Sequence, residues 1–228
     1  DDASRFIVGI DVFFNDNFVN LMSVMKSAVA KYGRPQLFNF DNGSSYKNKQ
    51  MELLAARIGS VVHYDQPYTP TQKAKIERWF RTMKDQWMSA LDIREFHSLE
   101  ELRGNLLAYV QKYNHSPHSS LKGKTPHDRF FSEPECIRRL TDKEVEDSFL
   151  LEIERRVSAD SVVVIDQVEY EVDCRFAKQR IRLRYSPDLT SIFIVEQDGT
   201  LTPIRLLNKQ ENAFVKREKI HLCRGEEA

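Results

Sequence analysis

Asp41-Asn42-Gly43-Ser44-Ser45-Tyr46 follows the apolar run Leu37-Phe38-Asn39-Phe40, and the reading of the chain turns on that junction. A short apolar, aromatic run bounded by turn residues reads as a buried strand. Asn42-Gly43 is a turn signal, so the Asp41 carboxylate is expected at a strand end, where the backbone opens. Glu77 follows after 35 intervening residues, within Lys75-Ile76-Glu77-Arg78, on a stretch that also carries Lys73, Arg81 and Lys84. Two carboxylates facing a cationic, aromatic helix suggest a divalent metal next to phosphate. The metal takes acidic oxygens, and the phosphates take Lys and Arg.

Outward from this pair, strands alternate with helices, which argues an α/β sheet. Residues 6–14, Phe6-Ile7-Val8-Gly9-Ile10-Asp11-Val12-Phe13-Phe14, are rich in β-branched and aromatic types and read as a strand. Asn15-Asp16-Asn17 is a turn and helix cap. The helix that follows carries Phe18, Leu21, Met22, Met25 and Val29 at helical spacing and stops at Gly33. A second helix, near 48–58, is closed by Gly59, and Val61-Val62-His63-Tyr64 reads as a short strand. A polar, Pro-containing loop spans 65–72. The Glu77 helix is expected over 73–90, with Ile76, Phe80, Met83 and Trp87 as its buried stripe. Glu77, Arg81 and Lys84 then share a neighbouring face with Lys73. By composition alone that face also fits a merely solvated basic surface. A helix over 98–113 turns Leu99, Leu102, Leu106 and Val110 inward, and Thr125-Pro126 opens another short one. The spacing of His115, His118 and His127 matches no common zinc pattern, so they read as structural.

Residues 133–156 read as an acidic connector with short helices. From 157 onward the pattern has period two: 161–166, 168–173, 179–185, 191–197 and 201–207 read as strands, with Asp198-Gly199 as a hairpin turn. A small all-β barrel over 157–220 fits. Within it Arg180, Arg182 and Arg184 alternate with Ile181, Leu183 and Tyr185, so the arginines are expected on one outer face. There they would either track a phosphate backbone or pair with Glu169, Glu171, Asp173 and Glu196.

The 228 residues carry no net charge, but that balance is uneven. Residues 1–132 hold 18 basic and 14 acidic side chains, 133–156 hold 5 and 8, and 157–228 hold 11 and 12. Any attraction to DNA is therefore local to particular faces. Three widely spaced cysteines, Cys136, Cys174 and Cys223, make no zinc pattern and read as reduced thiols of a cytoplasmic protein. No apolar run approaches 18 residues, so no membrane span is expected.

Phe40-Asp41-Asn42-Gly43-Ser44, the 35-residue gap and Lys75-Ile76-Glu77-Arg78 together resemble the catalytic cores of retroviral integrases and bacterial DDE transposases. Asp1-Asp2-Ala3-Ser4-Arg5-Phe6 resembles the turn after the second strand of those cores, and Pro67-Tyr68-Thr69-Pro70 their mobile active-site loop. Tyr113-Asn114, then Pro117-His118-Ser119-Ser120-Leu121 and Thr125-Pro126, resembles the segment that closes the bacterial members. The likeness covers roughly residues 1–132. The part after 157 looks like the small C-terminal β-barrel of phage Mu-type transposases.

The resemblance implies a ribonuclease H-like α/β core over 1–132, a linker over 133–156 and the barrel over 157–220. It implies metal-dependent DNA cleavage and strand transfer between transposon ends and a target. Asp41 and Glu77 would be catalytic ligands of Mg²⁺ (or Mn²⁺), and Tyr68, Lys73, Lys75, Arg78, Arg81 and Lys84 would contact DNA. It also implies a homo-oligomer, and transposases of this kind often work with a separate ATPase. Such cores need a third acid, an Asp on a first strand that precedes the turn matched here by Asp1-Asp2. The first strand, most of the second and that Asp are thus expected upstream of residue 1. Asp1 and Asp2 read as turn residues, and Asp11 as a strand residue. Two other readings fit the same residues: a nuclease of the same fold, and a non-catalytic DNA-binding or assembly fragment.

Overall fold

The computed structural model describes residues 1–65 and 74–208, in two compact units, Asp1–Leu150 and Leu151–Ala228. In the first unit, α1 (Phe18–Tyr32) starts where the Asn17 side chain accepts from the Asn20 N–H, and ends at Gly33 with φ 86°. A side chain at Gly33 would meet the Arg138 carbonyl oxygen at 2.7 Å, so glycine is required by both conformation and space. β1 (Leu37–Phe40) and β2 (Val61–Tyr64) pair in parallel, Leu37 with Val61 through Phe40 with Tyr64. The crossover between them is α2 (Lys49–Ile58), capped by Asn48 and closed by left-handed Gly59. It buries Met51, Leu54, Ala55 and Ile58.

Beyond the loop lie α3 (Ala74–Gln86), α4 (Leu99–Asn114), α5 (Pro126–Phe130) and α6 (Asp142–Ser148). Helix α6 opens on a complete capping box, Thr141 with Glu144, and packs against α1 and α2 through buried Val145. Residues 133–156, expected as a linker, are divided: 133–150 fold with the first unit, and Leu151 starts a strand of the second.

Residues 6–14 are not a strand. Among the described residues no neighbouring strand pairs with them, and strand structure needs a ladder. Side chains meet their backbone groups instead. The Asn114 carboxamide accepts from the Ile7 N–H at 2.9 Å and donates to the Ile7 carbonyl at 3.1 Å, replacing one rung. Arg103 donates to the Val12 carbonyl and pairs with Asp11 at 2.6 Å. Phe6 is buried against Tyr32, Phe130 and Phe131, with Phe130 stacked at 4.7 Å.

The second unit has two antiparallel sheets. One runs β3 (Leu151–Arg156), β6 (Arg180–Tyr185), β7 (Ile192–Val195), β8 (Leu201–Pro203); the other runs β4 (Val162–Ile165), β5 (Val168–Glu171), β9 (Arg205–Leu206). Val163, Ile165 and Tyr170 from one sheet and Ile181, Leu183, Ile192 and Ile194 from the other form a common core. Asp166 and Gln167, both at positive φ, make the two-residue turn between β4 and β5. The stretch expected as one strand over 201–207 is two short strands in different sheets. Residues 209–220 of the expected barrel lie outside the described residues.

Candidate active site

Asp41 stands immediately after β1, on a turn built by side chain and backbone together. Its Oδ1 accepts from the Gly43 N–H at 2.8 Å, an Asx-type closure. The Gly43 carbonyl accepts from the N–H groups of Tyr46 and Lys47, which turns the chain toward α2. A Cβ on Gly43 would sit 2.9 Å from Asp41 Oδ1, so the bare backbone lets the carboxylate fold over its own turn. Tyr46 stacks on Phe40 at 4.9 Å, and burial, with the Asp41 and Asp16 charges, pushes its phenol above the ordinary range.

A residue that the motifs do not single out holds this turn from the next strand. Asp65 follows β2 and is only 5% exposed. Its N–H donates to the Phe40 carbonyl, its carboxylate accepts from Asn39 Nδ2 at 2.9 Å, and its carbonyl accepts from Asn42 Nδ2 at 2.7 Å. Lys47 donates to the same Asn42 side chain at 3.2 Å. Asp65 thus ties both flanks of Asp41 to the end of β2. The only sign of it in the sequence is a polar residue directly after an apolar strand, which also reads as the start of a loop.

Glu77 lies in the first turn of α3 and is exposed. The buried stripe of this helix differs from the expected one. Trp79 is the buried residue of α3, while Ile76 and Phe80 are about half exposed, at 49% and 51%. Trp79, Met83 and Trp87 are spaced by four, and Trp79 and Trp87 meet Tyr113 and Tyr109 of α4. Trp87 Nε1 also donates to Asn105 at 2.7 Å. The arc is therefore centred on Trp79, which rotates Ile76 and Phe80 to its shoulder. At about 100° per residue, Glu77, Arg81 and Lys84 fall together on the face opposite Trp79, and all three are exposed.

Lys75, one of the residues expected to contact DNA, is exposed and has an acidic neighbour. It points to the turn before residue 6 and pairs with Asp2 at 2.5 Å. Arg78 is exposed. Tyr68 and Lys73 lie outside the described residues. The early acids are occupied: Asp1 accepts from the Ser4 N–H and hydroxyl, Asp2 pairs with Arg5 and Lys75, and Asp11 pairs with Arg103. Asp41 and Glu77 offer hard carboxylate oxygens, the donor type that Mg²⁺ or Mn²⁺ takes. Among the described residues no three His, Cys, Asp or Glu side chains gather to hold an ion. His115 and His127 instead stack on each other at 4.6 Å.

A family model described as an integrase core domain matches residues 1–70, and a second of the same description matches residues 59–126. The transposase for transposon Tn552 of Staphylococcus aureus is 26% identical over 184 residues, covering 71% of this chain. The chain spans 38% of that relative's length. Among solved structures, the catalytic core domain of BIV integrase is 17% identical with a TM-score of 0.47, over 58% of this chain and 82% of that one. A chain of the simian T-cell lymphotropic virus intasome is 16% identical with a TM-score of 0.40, over 86% of this chain and 66% of that one. Among the described residues no helix is long and apolar enough to cross a membrane.

Proposed function

Residues 1–126 belong to the integrase core family of DDE transposases and integrases, and on that premise we propose that the protein cleaves DNA strands and joins them to a target. The observation that carries this reading is the placing of the two acids. Asp41 is held on a hydrogen-bonded turn at a strand end, and Glu77 shares an exposed helix face with Arg81 and Lys84. Asp41 and Glu77 would hold Mg²⁺ or Mn²⁺, which supplies Lewis-acid stabilisation of the oxygens around the reacting phosphorus.

The remaining work falls to the chain's own groups. Gly43 N–H fixes one Asp41 oxygen and so sets the direction of the other. Arg81, through its planar guanidinium fork, and Lys84, as a point charge, hold phosphates of the bound strand beside Glu77. An attacking water or 3′-hydroxyl forms a bond to phosphorus as the bond to the leaving 3′-oxygen breaks, in line. No side-chain nucleophile is needed, so no covalent enzyme intermediate forms. DNA is the partner, and the functioning form is a homo-oligomer. The second unit, two sheets around one core, is read as a small β-barrel that assists DNA binding.

A second reading has an observation of its own. Among the described residues no three His, Cys, Asp or Glu side chains gather to hold an ion, which fits a DNA-binding or assembly role for residues 1–228 by themselves. The test is a joining assay with pre-cut ends and Mg²⁺, run on residues 1–228 and on the longest natural form of the protein. Joining by the longer form supports the transposase reading. Hydrolysis without joining makes the protein a nuclease of the same fold, and inactivity of both forms leaves the binding role.

A further inference from the structure

The outer face of the β3–β6 ladder carries three charged rungs, and they are not alike. Glu152 stands opposite Arg184, Glu154 opposite Arg182, and Arg156 opposite Arg180. The first is a formed ion pair at 3.0 Å with both side chains mostly covered. The second is complementary by register. The third sets two cations of like sign across from each other, an arrangement that costs stability.

Two further arginines of this unit have carboxylates: Arg175 meets Glu196 at 2.5 Å, and Arg205 meets Glu171 at 3.5 Å. Among the described residues Arg156, Lys178 and Arg180 have no carboxylate partner. Lys178 precedes β6 with φ 63°, where glycine or asparagine would be less strained. Its N–H donates to the Ser158 carbonyl, and the Val157 N–H donates to Gln179, so both backbones are tied at this end of the ladder. Arg155, Arg156 and Lys178 line a shallow cavity of about 650 Å³ that has no carboxylate in its walls.

We propose that Arg156, Lys178 and Arg180 form a phosphate site that takes a phosphodiester of duplex DNA. An anion between the two guanidiniums turns the repulsive rung into charge-assisted hydrogen bonds. Only the identity of the polyanion rests on the reading of the protein as a DNA-handling enzyme. The site differs from the expected row Arg180, Arg182, Arg184, because Arg184 is engaged by Glu152 and Arg182 faces Glu154.

The test is equilibrium binding of a duplex oligonucleotide to the full chain across a salt series, with no cleavage step. Replacing all three residues (Arg156→Gln, Lys178→Gln, Arg180→Gln) should flatten the slope of log K against log salt by about 0.9, the share of the one phosphate no longer neutralised. The variant should melt no lower than the wild type, since a like-charge rung has been removed. Arg156→Lys with Arg180→Lys keeps the charges and should keep the slope. An unchanged slope in the triple variant overturns the site while leaving DNA binding by the rest of the chain intact. Absence of salt-dependent duplex binding by the wild type overturns both the site and the DNA reading. A second arm uses inorganic phosphate at constant ionic strength. If phosphate raises the melting temperature of the wild type alone and the duplex slope is unchanged, the site takes free phosphate and the DNA assignment fails.

Discussion

Gly43→Ala should separate catalysis from folding, because the two respond differently to the added methyl. The new Cβ would lie 2.9 Å from Asp41 Oδ1 and 3.4 Å from Tyr46 Cδ2. The first distance is inside van der Waals separation, and the carboxylate is the group that must shift. Gly43 is not among the residues at positive φ, so alanine fits its backbone without strain. Restricting the unfolded chain then favours folding by about 0.4–1 kcal/mol. Against this stands the broken bond from the Gly43 N–H to a charged oxygen, about 1.5–3 kcal/mol where buried and less at the half-exposed Asp41. The two terms nearly offset, so the melting temperature should move by no more than a few degrees. Catalysis has no such compensation. A carboxylate displaced by about 1 Å from its reacting position costs about a hundredfold in rate. The assay is metal-dependent cleavage of duplex DNA by the longest natural form, with a melting curve on the same preparation. A rate within about threefold of wild type would refute the role assigned to this turn, since the expected loss is about a hundredfold. So would a loss of rate that merely follows a loss of fold.

Asp65→Ala leaves the Asn39 amide short of its acceptor and loosens the Asp41 turn, while the Asn42 bond to the Asp65 backbone carbonyl stays, so it should destabilise by about 1–3 kcal/mol and lower the cleavage rate. Asp65→Asn keeps one acceptor oxygen and should recover most of both, as read by denaturant melts and initial rates. Asn114→Ala removes both bonds to Ile7 and should cost about 1–3 kcal/mol, with faster amide exchange at Ile7 than at residues of α2. Lys75→Ala should flatten the salt dependence of duplex binding less than Arg81→Ala does, because Lys75 is held by Asp2.

Much of the first unit is legible because its signals are local. Asn17 and Gly33, and Asn48 and Gly59, mark helix ends through hydrogen bonds and backbone angles that single residues control. Residues 6–14 mislead for the converse reason. Their composition suits a strand, but a strand is a property of two segments, and here Asn114 and Arg103 supply the partner groups. β3 is hidden by its own residues: Leu151-Glu152-Ile153-Glu154-Arg155-Arg156 has two apolar side chains among four charges that suit a helix equally well. Without β3, the domain boundary shifts toward 157 and the partners of the β6 arginines stay concealed. In α3 the tryptophans decide the rotation, and Trp79 lies one step from the stripe that Ile76 and Phe80 suggest. The motif residues Asp41 and Glu77 are plain in the sequence, whereas Asp65 is not, because its role depends on the register of β1 against β2.

The most direct measurement of the central claim is Mg²⁺-dependent DNA cleavage by Glu77→Gln in the longest natural form, with duplex affinity measured alongside. The substitution keeps the shape of an exposed side chain and removes its charge, so the fold and the phosphate binding by Arg81 and Lys84 should survive. The account predicts a fall in rate of at least about a hundredfold, with duplex affinity within about a factor of two of wild type. Cleavage within about tenfold of wild type at unchanged affinity would contradict it and remove Glu77 from the catalytic site.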